Sequence, residues 1–171
     1  MQLRDLLKFE FFFADKETFR GELRRELADR DADWESTLRS GPEAIQGLLR
    51  SFRPYSAHRV LRPFLEAYRI VADHLERQDE SSELDEGRFL QGCMGLGKQY
   101  RLQRRIRSTA SISKVLFKTA LNLADNRGLL RPGEPDLRAW RAAFALEIRA
   151  AIRRTEAIDA LAASRRAGLI D

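Results

Sequence analysis

FLQGCMGLGKQYRLQRRIRSTASISKVLFKTALNLADNR, residues 89–127, is the stretch around which the chain is organised. Its middle is cationic: Lys98, Arg101, Arg104, Arg105 and Arg107 fall within ten residues with no acid among them. An apolar stripe at helical spacing follows, made of Ile112, Val115, Leu116, Thr119, Ala120 and Leu123, and it reads as the inner face of a buried helix. The Ser-Thr-Ala-Ser between the two supplies polar side chains suited to opening that helix. A row of positive charge is thereby held against a packed core. Such a row suits an anionic partner: phosphate, a lipid surface or nucleic acid. Nucleic acid is the weakest fit, because only Tyr100 is interleaved with the bases. The opposite reading is a solvated face balanced by acids of the same chain, and 79–86 supplies five of them. The sequence leaves both open.

Upstream, DESSELDEG (79–87) carries those acids and no base, and reads as an exposed, mobile linker. Before it, Leu61, Phe64, Leu65, Tyr68, Val71, Ala72 and Leu75 form the cleanest amphipathic pattern, with Pro63 in its first turn or kinking it. Arg53-Pro54 breaks an earlier short helix that starts at Ser40-Gly41-Pro42-Glu43 and turns Ile45, Leu48, Leu49 and Phe52 inward. Residues 15–30 make a charged helix with the thin stripe Phe19, Leu23, Leu27, ended by the loop ADRDAD (28–33). At the start, LRDLLKFEFFF (3–13) reads as a helix that is apolar on more than one face. Phe9, Phe11, Phe12 and Phe13 would then need cover on two sides, either from this core or from a surface outside the chain, a second domain or a membrane.

Downstream, Gly128 predicts a helix C-terminal cap, and RPGEP (131–135) a loop. Asp136 then caps a helix with Leu137, Trp140, Phe144, Ile148 and Ile152 inward, and Thr155 to Arg166 continues it or forms a last short helix that ends at Gly168. No strand-like alternation and no repeat period is visible. The expected fold is all-α, a single domain over 1–171 built as an irregular bundle of about six or seven helices.

At 171 residues the chain can bury a core without metal or disulfide staples. A net charge of +5 permits anionic partners without naming one. The single cysteine, Cys93, allows no intrachain disulfide and fits a cytoplasmic setting. No apolar run approaches the ~20 residues of a membrane-spanning helix. The opening MQLRDLLKFE carries internal charges and no small-residue cleavage site, so it does not read as a secretory signal.

Two motifs match only on paper. GCMGLGK (92–98) has the spacing of a phosphate-cradling loop, yet no buried strand precedes it and Gln99 stands where magnesium binding needs Ser or Thr. It reads instead as helix whose small residues admit a close neighbour. HLERQD (74–79) matches H-x-x-x-x-D, in which a histidine base is oriented by an aspartate. His74 ends an amphipathic helix and Asp79 opens the linker, so the match reads as coincidence. Two dispersed histidines and one cysteine offer no metal site, and no cofactor is expected. No catalytic residue is assigned.

LLKFEFFF (6–13), RPFLEAYRIV (62–71), KQYRLQRRIRS (98–108), SKVLF (113–117) and LADNRGLL (123–130) together resemble, in the same order, the C-terminal region of the bacterial membrane-associated glycerol-3-phosphate acyltransferases. The resemblance implies membership of a family that moves an acyl group from acyl-CoA or acyl carrier protein to the sn-1 hydroxyl of glycerol 3-phosphate, at the inner face of the cell membrane. That family's catalytic blocks lie upstream of this region, and none is present, so no catalytic residue carries over. The resemblance therefore implies a helical C-terminal portion that packs on an acyltransferase domain. Its phenylalanine segment would meet that domain, and its cationic row would face anionic head groups. A free-standing helical interaction or nucleic-acid module is the reading of a different class.

Overall fold

The computed structural model describes residues 2–52 and 57–166. The proposed break at Arg53-Pro54 and the stop at Gly168 lie outside them. Eight α-helices and one 3-10 turn appear among the described residues: α1 (Gln2–Leu6), α2 (Lys16–Arg30), α3 (Trp34–Arg39), α4 (Pro42–Ser51), α5 (Ala57–Leu75), α6 (Glu86–Leu102), the turn Thr109–Ser111, α7 (Lys114–Asn126) and α8 (Leu137–Arg166). The all-α expectation stands. The added helix is α3, which begins directly after the ADRDAD stretch, and α2 runs into that stretch as far as Arg30.

Helix α5 is the axis of the core. It packs against α6, α7, α8 and the 3-10 turn. Leu65, Ala67, Tyr68, Ile70, Val71, Ala72 and Leu75 are all buried, so its apolar face is wider than a single stripe. Pro63 sits inside the helix rather than at its start. Helix α6 comes close because it is poor in side chains on that side. A Cβ on Gly97 would stand 3.2 Å from Ile70 Cδ1 and 3.3 Å from Ile112, and one on Gly92 would strike the His74 ring. Those contacts give GCMGLGK its structural purpose, and it lies wholly within α6.

Three expectations need correction. The 3–13 segment is not one helix. It is helical only to Leu6, turns through Glu10, and has no regular structure from Phe12 to Asp15. Phe11 and Phe13 both turn inward, with Phe11 5.0 Å from the Phe64 ring and Phe13 6.0 Å from that of Phe19. Phe12 between them is fully exposed, and Phe9 is nearly half exposed. These aromatic contacts to other helices outweigh the local helical pattern.

In α7 the stripe is rotated. Val115 is exposed, while Phe117, Leu121 and Ala124 join Ala120 and Leu123 in the core. In α8, Trp140 is exposed and Arg141 takes the inward position, donating from Nε to the Leu129 carbonyl and from Nη1 to that of Gln78. Inward positions on α8 are thus Leu137, Arg141, Phe144, Ala145, Ile148, Ala151 and Ile152, a four-and-three spacing that a charged residue concealed.

Candidate functional site

The cationic row begins on the last turns of α6 and continues through the loop that leads to the 3-10 turn. Lys98, Arg101, Arg104, Arg105 and Arg107 are all exposed. Two devices shape this stretch.

The first is the end of α6. Arg104 adopts a left-handed conformation, φ 58°, the only described residue other than glycine to do so. Its N–H donates to the Arg101 carbonyl at 3.1 Å, and that of Arg105 to the Tyr100 carbonyl at 2.8 Å. This is a Schellman ending with arginine where glycine is usual. The turn lays the Arg105 guanidinium over the Tyr100 ring, 4.4 Å from its centre. Tyr100 is buried, and its hydroxyl donates to Asp73 at 2.7 Å. Burial first, and then that bond, push the phenol pKa up. Asp73, itself buried, also receives Arg149 from α8, Nε at 3.0 Å and Nη2 at 2.6 Å.

The second device is Glu66, 4% exposed on α5. Its carboxylate accepts from Arg107 N and Ser108 N, both at 2.9 Å, and from Ser111 Oγ at 2.8 Å. A buried carboxylate is tolerated only when its acceptors are filled, and here three donors from one loop fill them. Glu66 therefore pins the loop that carries the cations. Sequence reasoning missed both Glu66 and Asp73. The available signal was their position: two acids seven residues apart, flanked by buried apolar neighbours, on the face of α5 that points inward.

The acids expected to balance the row do not do so. Asp85 meets Arg88 and Glu86 meets Lys118. The Asp79 carboxylate accepts from Ser81 and Ser82, which hold its pKa down at about 2. Among the described residues, Lys98, Arg101, Arg104 and Arg105 have no carboxylate within 4.0 Å, and Arg107 approaches only Asp159 of α8, at 3.8 Å. The 79–87 segment is tied instead to neighbouring backbone, its Glu80 carbonyl accepting from Gly133 N and its Asp79 carbonyl from Arg141.

HLERQD forms no dyad. His74 and Asp79 both line a cleft of about 350 Å³ between the end of α5 and the start of α6. They are not hydrogen-bonded to each other: the imidazole lies against Phe89, ring centres 4.8 Å apart, and the aspartate is taken up by serines. Burial and then Arg77 lower the His74 pKa. The only cysteine is equally unsuited to attack, since burial pushes the Cys93 thiol up to about 12. No group of His, Cys, Asp and Glu among the described residues is arranged to hold a metal ion. No helix among them is long and apolar enough to cross a membrane.

A helical domain with a pinned cationic loop, a half-open phenylalanine segment and no catalytic group assembled among the described residues is thus the class of molecule in hand. The chain belongs to the glycerol-3-phosphate acyltransferase C-terminal region family, whose model matches residues 1–133. Relatives in Mycobacterium bovis and in Mycobacterium tuberculosis strains CDC 1551 and H37Rv, each carrying the name "Putative acyltransferase plsB1", are 42% identical over 163 residues, 95% of this chain. The chain spans about a quarter of the length of those relatives. No solved structure matches it.

Proposed function

We propose that this chain serves as the helical C-terminal domain of a glycerol-3-phosphate 1-O-acyltransferase, and that it supports a catalytic domain without transferring acyl groups itself. The observation that carries this reading is the family match over 1–133, a region that contains the phenylalanine segment and the pinned loop. The relatives' greater length is consistent with a second domain that would hold the chemistry. Phe9 and Phe12, exposed within the matched region, are the surface proposed to meet it. In that setting the whole protein would move an acyl group from acyl-CoA or acyl carrier protein to glycerol 3-phosphate, towards phospholipid.

Peripheral attachment at the inner face of the cell membrane is the second part of the reading. Its support is the exposed row Lys98, Arg101, Arg104, Arg105 and Arg107, largely without internal carboxylate partners. A basic residue near an anionic surface contributes about 1 kcal/mol. A free-standing nucleic-acid module draws no support from Tyr100, the one aromatic in the row: its ring is buried beneath Arg105 and Arg69 and is closed to a base.

The expected result for the purified chain is no acyl transfer to glycerol 3-phosphate. Turnover that disappears with His74→Ala would overturn the non-catalytic reading. For the membrane part, co-sedimentation with anionic vesicles should weaken with salt and drop about tenfold or more in Arg104→Glu/Arg105→Glu. Binding indifferent to both would remove it.

A further inference from the structure

The first turns of α5, the loop after α6 and the far end of α8 converge on one carboxylate. Asp159 is four-fifths buried and accepts from His58 Nε2 at 2.6 Å and from Arg62. Arg59 Nε stands 3.7 Å from the same carboxylate and Arg107 Nη1 stands 3.8 Å from it. At that range the last two make charge contacts but no hydrogen bonds. The guanidinium N–H groups of Arg59 and Arg107 bond no other atom among the described residues. With Ala163, the three arginines and Asp159 line a hollow of about 400 Å³.

The charge balance points to the ligand. Among the described residues, three guanidiniums against one carboxylate leave a net charge of +2 around the hollow. Burial and then Arg59 and Arg62 lower the His58 pKa. A structural ion pair needs one cation for one carboxylate, and Arg62 already fills that need. Two further arginines aimed at the same point, with donors to spare, suit an anion that carries two charges and several acceptors. Guanidinium forks match phosphate oxygens in pairs. Among the described residues no aromatic side chain lines the hollow.

We propose that Arg59, Arg62 and Arg107 form a binding site for a phosphate monoester dianion, which Asp159 occupies as a built-in competitor when the site is empty. The ligand is either a soluble phosphate monoester or the monoester head group of phosphatidic acid. This inference requires neither acyl transfer nor the Phe9 and Phe12 contact, and it uses residues that the membrane test above leaves untouched.

Calorimetry with inorganic phosphate at a pH where it is a dianion tests the site on the full chain. The wild type should bind. Arg59→Ala and Arg107→Ala, each removing a half-exposed or more exposed side chain, should each weaken binding about tenfold with an unchanged circular dichroism spectrum. Asp159→Asn, which neutralises the competitor, should tighten it about tenfold. Vesicles of phosphatidylcholine with phosphatidic acid, compared with phosphatidylglycerol at equal charge, separate the two sources. A phosphatidic acid preference lost in Arg59→Ala assigns the lipid head group, and phosphate binding with no such preference assigns a soluble monoester. No phosphate binding by the wild type together with no phosphatidic acid preference overturns the proposal. So does an Arg59→Ala variant that equals the wild type in both assays, or a folded Asp159→Asn variant that binds phosphate more weakly.

Discussion

Helices α6 and α7 end in the same hydrogen-bond pattern, and they do so with different residues. At the end of α7, Gly128 takes the left-handed conformation at φ 74°, its N–H reaching the Asp125 carbonyl and that of Leu129 reaching Ala124. At the end of α6, Arg104 fills the equivalent place. A left-handed backbone costs an ordinary L-residue roughly 1–2 kcal/mol, and glycine almost nothing. The two turns also differ in what holds them. Leu129 is buried beside its helix, as a hydrophobic partner in such a motif usually is. Beyond Arg104 the chain is held by Arg105 on Tyr100 and by the carboxylate of Glu66. The α7 end is a locally coded stop. The α6 end is imposed by tertiary contacts, and it keeps a cation where stability alone would favour glycine. Strain retained at a surface turn is a pointer to function.

The largest test of that contrast is Glu66→Ala. It strands the donors of Arg107, Ser108 and Ser111 and should cost about 3 kcal/mol or more in urea unfolding. A loss below about 1 kcal/mol would mean that the α6 turn holds itself. Next comes Gly128→Ala, which forces an L-residue into the α7 turn and should cost about 1–2 kcal/mol. The smallest effect is expected from Arg104→Gly. It makes the two ends alike and should raise stability by about 0.5 kcal/mol, the relieved strain exceeding the extra freedom of glycine in the unfolded chain. A destabilised Arg104→Gly would show that the arginine side chain contributes packing at its place.

What could be read in the sequence follows the same division. Gly128, the Pro42 start of α4 and the stripe Leu65, Tyr68, Val71, Ala72, Leu75 were legible, because each is coded by residues near in sequence. The five cations were legible as a row for the same reason. The turn at Arg104 was not, since no glycine marks it. Phe9 to Phe13 were misread because clustered phenylalanines fit helical spacing, whereas ring contacts with the distant Phe64 and with Phe19 draw Phe11 and Phe13 inward. Arg141 was passed over for Trp140 because a guanidinium satisfied by backbone carbonyls leaves no apolar mark. Arg59, Arg62 and Asp159 were invisible as a group, being brought together only when α8 folds back along α5.

Glu66 also ties the shape of the basic loop to the rest of the molecule. Its three donors lie 41 to 45 residues further along the chain. An opening that withdraws the Glu66 carboxylate releases both backbone donors, so the amides of Arg107 and Ser108 should exchange with solvent as a unit when α5 parts from its neighbours. The spacing of the positive charges then becomes a report on global cooperativity: a chain that loosens its centre loses its charged edge in the same event.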